Sequence, residues 1–214
     1  MTAKTDPHRH QPVLHRGPLP AAARLTMIMV HGRGASAEDV LSLAGEFQTK
    51  DVAFLAPQAA GRTWYPYSFL SPIADNEPGI TSGLGVIGGL VDGLVAQQIP
   101  YARIALLGFS QGACLSLEFA ARHPRRYAAV IGLSGGLIGP PGTPRDYPGS
   151  LDQGPVFLGC SDVDLHIPLE RVRESAAVFR RMGASVDERI YPGMGHTVSE
   201  EEIAVVRGLL SAGL

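Results

Sequence analysis

Charge and cysteine are both scarce in this 214-residue chain, and each scarcity removes a class of protein. Asp, Glu, Lys and Arg make up 18% of the residues, where about 25% is usual. Disordered chains combine high charge with low hydrophobicity, whereas 45% of this one is hydrophobic. Twenty acidic residues against eighteen basic ones leave a net charge of −2, with no basic footprint for nucleic acid. Two cysteines, Cys114 and Cys160, supply neither a disulfide framework nor a Cys-x-x-Cys pair. They read as buried small hydrophobes. No unbroken apolar run reaches the length of a membrane span; the best, residues 80–94, is interrupted by glycines and Asp92. Stable membrane insertion is therefore not expected. Residues 1–11 are polar and lack the apolar core of a secretory signal, so a cytoplasmic location is expected.

What the chain has in excess is glycine and proline. Twenty-six glycines and seventeen prolines are about 20% of the residues, against about 12% on average. In a chain this apolar they belong in tight turns and loops on a packed scaffold. The length fits a single domain, expected over residues 13–214 behind a flexible amino-terminal tail of residues 1–12. His8, His10 and His15 fall in or beside that tail and read as tail residues rather than metal ligands.

From Pro12 onward, apolar segments alternate with helical patterns. Residues 25–30 (Leu-Thr-Met-Ile-Met-Val) form a run suited to a strand buried on both faces. Further strands are expected near residues 12–16, 52–56, 102–107, 128–133, 155–160 and 185–191. Helices are expected over 37–49, 81–98, 112–122, 169–182 and 199–210. Ser36, with Asp39 three residues on, is the expected cap of the first helix. This alternation predicts a mainly parallel α/β sheet with helices on both faces. In such sheets function collects at the carboxyl ends of the strands.

Gly108-Phe109-Ser110-Gln111-Gly112 follows one such strand and leads directly into a helix. That is Gly-x-Ser-x-Gly in the strand–turn–helix setting that projects a nucleophilic serine. A serine hydroxyl needs a base, and the base needs a carboxylate to orient it. The strand ending near Cys160 is followed by Asp162, Asp164 and His166, and the strand ending at Tyr191 by Met194 and His196. Serine, acid, histidine is the chain order of α/β-hydrolases. His196 is the expected base; His31 reads as a turn residue, His123 as a helix end, and His166 as a loop or substrate contact. Both Asp162 and Asp164 satisfy the spacing. The oxyanion hole needs two backbone N–H groups, expected from Gln111 and from Arg33 in the His31-Gly32-Arg33-Gly34 loop.

Together, His-Gly-Arg-Gly-Ala, Trp-Tyr-Pro, Gly-Phe-Ser-Gln-Gly-Ala, Ser-Asp-Val-Asp-Leu-His-Ile-Pro and Gly-Met-Gly-His resemble the phospholipase/carboxylesterase family. That family of small α/β-hydrolases includes acyl-protein thioesterases. The resemblance runs from about Val13 to Leu210. It implies an α/β-hydrolase fold without a large cap, with Ser110 as nucleophile, Asp164 as acid and His196 as base. It also implies Arg33 and Gln111 as oxyanion donors. The family's acid loop often reads Gly-Asp-x-Asp, whereas Cys160-Ser161 follow Gly159 here.

The expected activity is hydrolysis of small acyl or aryl esters, with no cofactor and no metal. Trp64, Tyr65 and Phe69 are expected to wall the substrate site, with His166 and Met194 as further contacts. The same aromatic loop would also suit a homodimer interface. Gly83 to Gly88 matches the dinucleotide fingerprint Gly-x-Gly-x-x-Gly, but no buried strand precedes it. It reads as a helix packed closely through small residues.

Overall fold

The computed structural model describes residues 6–212. Among these residues seven strands and five α-helices follow in the expected order: β1 Val13–Arg16, β2 Leu25–Val30, α1 Ala37–Glu46, β3 Val52–Pro57, α2 Gly79–Ala96 and β4 Ile104–Phe109. Then come α3 Gln111–Arg122, β5 Ala129–Leu133, β6 Pro155–Ser161, α4 Leu169–Arg181, β7 Ser185–Tyr191 and α5 Glu200–Ser211. The sheet order is β1-β3-β2-β4-β5-β6-β7. All neighbours pair in parallel except β1, which runs antiparallel along β3 at one border. This is the α/β-hydrolase architecture, without a large cap.

Side chains of period two divide the interior into two cores. Met27 and Met29 of β2, Ala105 and Leu107 of β4, and Phe157 of β6 face α1 and α5. Ile28, Val30, Ile104, Leu106 and Leu158 face α2, α3 and α4. The central strands are therefore apolar at successive positions, because both of their faces are covered. Ser36 and Asp39 close a capping box on α1, and Ser199 and Glu202 close another on α5. Together these boxes satisfy backbone donors that each helix start would otherwise leave unpaired.

By length and composition α2 could cross a membrane, with mean hydropathy 1.5 over its span. Its apolar residues are used inward instead: Ile80, Leu84, Ile87, Val91 and Leu94 join the core that α3 shares. The Gly83–Gly88 stretch lies inside this helix. A Cβ on Gly83 would stand 3.0 Å from Leu115 Cδ1, so that glycine serves close helix packing.

The amino-terminal segment departs from the expected tail. His8 is buried; its Nε2 donates to the Trp64 carbonyl at 2.8 Å, and its Nδ1 accepts from the Ala60 N–H at 3.1 Å. The His8 N–H donates to Ser82 Oγ at 3.0 Å, and that hydroxyl donates to Asp6. Residues 6–12 are thus strapped onto the domain by polar partners that no periodicity reveals. The part of the tail expectation that concerns residues 1–5 lies outside the described residues.

Candidate active site

The turn after β4 is set by backbone contact. A Cβ on Gly108 would meet the Gly112 carbonyl oxygen at 2.2 Å, and one on Gly112 would meet the Val30 oxygen at 2.1 Å. Only glycine fits either place. Between them Ser110 adopts φ 55°, ψ −120°, a conformation that costs about 1–3 kcal/mol. It is held there from both sides: the Ser110 N–H donates to Leu133 O at 2.9 Å, and the Cys114 N–H donates to Ser110 O at 3.0 Å. The side chain consequently leaves the chain at the carboxyl edge of the sheet, at the start of α3.

Two other strand ends deliver partners to it. His196 Nε2 lies 2.8 Å from Ser110 Oγ, and His196 Nδ1 lies 2.7 Å from Asp164 Oδ2. With the hydroxyl donating to Nε2, the imidazole carries its proton on Nδ1 and donates it to the carboxylate. The other carboxylate oxygen, Asp164 Oδ1, accepts from the His166 N–H at 2.8 Å and the Ile167 N–H at 3.1 Å. The Asp164 side chain is fully buried. Burial pushes its pKa up, but the hydrogen bonds from His196, His166 and Ile167 outweigh that and leave it below the ordinary carboxylate value. It stays ionised.

Asp162, the alternative acid, points elsewhere. Its Oδ1 accepts from the Gly193 N–H at 2.8 Å, which ties the acid loop to the histidine loop.

Arg33 and Gln111 both line the cleft into which Ser110 opens. Among the described residues neither backbone N–H donates to a protein acceptor, as an oxyanion hole requires before substrate arrives. The loop carrying Arg33 is fixed by His31, whose Nδ1 donates to Gly32 O at 2.8 Å and whose Nε2 accepts from the Ala59 N–H at 3.0 Å. Burial pushes the His31 pKa down, which suits this neutral tautomer. The Gln111 side chain has a separate task. Its Oε1 accepts from the Trp64 N–H and its Nε2 donates to Tyr65 O, both at 2.8 Å.

Ser110 opens into a cleft of about 350 Å³, with Tyr65, Phe69, His166 and Ile167 in its lining. Tyr65, Phe69 and His166 thus lie where substrate contacts are expected. Two expected contacts do not. Trp64 is 0% exposed, and its indole N–H donates to His31 O at 2.9 Å. It belongs to the core under the loop that carries Arg33, because a buried indole settles where its N–H finds an acceptor. Met194 is half-buried in the turn before His196 and does not line the cleft. Within the aromatic loop Trp64, Tyr65 and Phe69 are buried in their own chain, whereas Tyr67 is 58% exposed.

Polar residues that composition did not single out hold this wall. Asn76, fully buried, accepts from the Tyr67 N–H and donates to Ser68 O, each at 2.8 Å. The Arg33 guanidinium donates to Pro66 O at 2.7 Å and Tyr67 O at 2.6 Å. The Arg33 side chain therefore ties its own loop to the wall loop. Cys114 also lines the cleft; burial pushes its thiol up to about 12, so it remains protonated and does not rival Ser110.

Comparison with known proteins identifies the family. Residues 19–213 match the family model described as Phospholipase/Carboxylesterase. Acyl-protein thioesterase 1 of Schizosaccharomyces pombe is 27% identical over 190 residues, covering 82% of this chain and 85% of its own. Its counterpart in Gibberella zeae is 28% identical over 219 residues, covering 89% and 92%. Among solved structures, a phospholipase/carboxylesterase from Dyadobacter fermentans superposes with TM-score 0.91 at 38% identity, covering 99% of both chains. With the family model spanning nearly its whole length, this chain belongs to the phospholipase/carboxylesterase family, a family of serine ester hydrolases within the α/β-hydrolase fold.

Proposed function

We propose that this protein is a carboxylesterase that hydrolyses small acyl or aryl esters through Ser110, His196 and Asp164. The observation that carries the reading is the unbroken hydrogen-bond line from Ser110 Oγ through the imidazole to a buried carboxylate, at 2.8 and 2.7 Å. His196 Nε2 takes the Ser110 proton as Oγ bonds to the ester carbonyl carbon, and the carbonyl electron pair moves onto oxygen. That oxyanion lies against the Arg33 and Gln111 N–H groups. Collapse expels the alcohol with the proton from Nε2 and leaves an acyl-Ser110. Water then repeats the sequence: His196 takes its proton, the hydroxide displaces Ser110 Oγ, and the serine recovers its hydrogen. Throughout, Asp164 holds the imidazole in place and stabilises its cation.

A thioester or lysolipid acceptor is the second reading, favoured by the acyl-protein thioesterases among the relatives. The chemistry at Ser110 is the same, and only the leaving group differs. Two measurements decide. Ser110→Ala is expected to abolish labelling by a fluorophosphonate probe and all turnover of p-nitrophenyl acetate; labelling that persists removes Ser110 as nucleophile. Values of kcat/KM for p-nitrophenyl esters, acyl thioesters and lysolipids then rank the acceptors. Ligand binding that survives Ser110→Ala, without hydrolysis of any ester by the native chain, would instead mark a non-catalytic binding protein.

A further inference from the structure

His196 has open space on both sides. One side is the cleft that Ser110 and Gln111 share with the aromatic wall. On the other, a second hollow of about 400 Å³ opens between α1 and the loop that precedes α5. Its apolar surface comes from Val40 and Leu43 of α1, Phe109 beside the nucleophile, and Val198 beyond the histidine. The Phe109 ring lies against the imidazole with centroids 5.0 Å apart, tilted by 35°. His166 meets the same imidazole from the cleft, 4.8 Å away and edge-on. The candidate base is thus the partition between the two spaces.

Gly32 stands at the seam. A Cβ there would come within 3.3 Å of Phe109 Cδ1 and 3.4 Å of Ser110 Cβ.

Resting on the ester-hydrolase reading above, we propose that this second hollow binds the leaving group of the substrate, an uncharged apolar alcohol or thiol. The assignment follows from where the proton must go. When the tetrahedral intermediate collapses, the bond from the carbonyl carbon to the leaving atom breaks, and its electron pair stays with that atom. The proton on His196 Nε2 joins it there. The leaving atom therefore sits against the imidazole, while the carbonyl oxygen is held apart from it by Arg33 and Gln111. An acyl chain directed along the aromatic wall leaves the alcohol to continue past the imidazole, and the hollow that abuts it there is the one lined by Val40, Leu43 and Phe109.

Apart from the neutral Thr197 hydroxyl, the polar side chains around this hollow have partners within the chain. Asp39, at its rim, accepts from Ser36 and pairs with Arg62 at 3.3 Å. His31 is occupied by Gly32 O and the Ala59 N–H. An ionic group would find no free countercharge there, whereas an alkyl or aryl group would find four apolar side chains.

Two ester ladders test the assignment on the full-length protein. One lengthens the alcohol from methyl to hexyl acetate; the other lengthens the acyl part from methyl acetate to methyl hexanoate. In the native chain kcat/KM is expected to rise about tenfold or more along the alcohol ladder, as apolar pockets discriminate. Leu43→Trp, which fills the hollow, should flatten that rise about tenfold while the acyl ladder changes less than twofold. Leu43→Ala, a milder change to the same surface, should also alter the alcohol ladder selectively. An alcohol ladder unmoved by both variants, or an effect of equal size on the acyl ladder, overturns the assignment. Absence of Ser110-dependent turnover on every ester is a different result, overturning the hydrolase reading and this inference with it.

Discussion

The nucleophile turn and the two loops that face it are built by opposite means. Around Ser110, backbone is packed against backbone so tightly that Gly108 and Gly112 leave no room for a methyl group. Across the site, Leu165 beside Asp164 is 95% exposed and Val163 is 54% exposed. There the geometry rests on a few hydrogen bonds: Asp164 to two backbone N–H groups and to His196, and Asp162 to Gly193. Steric exclusion fixes the strained residue, and directed polar bonds fix the unstrained ones. A twisted serine needs walls, whereas a carboxylate and an imidazole need only correctly aimed partners.

That contrast can be broken first at the acid. Asp164→Asn keeps the shape but reverses the donor at Nδ1, so kcat should fall by about 10⁴ while the thermal midpoint stays nearly constant. A fall of less than tenfold would remove Asp164 from the mechanism. Gly112→Ala should act the other way, through the fold. Its methyl group meets the Val30 oxygen at 2.1 Å, and a loss of about 3 kcal/mol or more is expected, at the upper end for overpacking. Urea midpoints measure it, and an unchanged midpoint would show that the turn can relax.

A third test asks whether the amino-terminal strap belongs to the rigid side. Burial holds the His8 and His31 pKa values below the ordinary histidine value of 6.5. The unfolded chain then takes up protons that the fold refuses, so stability is full above pH 6.5 and declines as pH falls below it. His8→Gln should make that decline shallower in denaturation measured across pH; an identical slope would show that residues 6–12 are not coupled to unfolding. Smallest of all, Leu165→Ser should change stability by less than about 0.5 kcal/mol, and a larger loss would mean that the acid loop depends on packing after all.

Much of this was legible in advance because burial on both faces writes apolar runs into a sequence. The strands β2, β4, β5 and β6 and the Ser110 turn follow from that pattern together with glycine spacing. Ser36 and Asp39 gave the start of α1. Long-range polar pairing leaves no such trace. Trp64 reads as part of the substrate wall until its indole N–H is seen to donate to His31 O, and His8 reads as tail until Trp64 O and Ala60 claim it.

The glycine- and proline-rich stretch of residues 134–154 illustrates the same limit. It is organised by buried charge: Glu118 accepts from the Ile138 N–H and from Tyr147, Arg145 donates to Ile138 O, and Arg171 donates to Leu137 O and Gly139 O. Gly139 in turn donates to Phe69 O at 2.8 Å, so this excursion braces the cleft wall. Its partners lie on α3 and α4, far away along the chain. Spacing likewise did not separate Asp162 from Asp164, which have the same charge and nearly the same place in sequence; the family resemblance pointed to Asp164, and the path of the loop brings that carboxylate to His196.

The borders of the sheet carry a consequence for behaviour in a crowded solution. An open sheet presents unpaired backbone groups on its outermost strands, and a second chain can add to them. Here one border is β1, only four residues long, set between Pro12 and Gly17 and carrying His15 and Arg16. At the other, β7 brings Asp187, Glu188 and Arg189 in succession, paired with one another and with Arg180 and Glu201. Short length and charge guard both rims, so that strand addition between copies, a common route to aggregates, finds poor templates at either end.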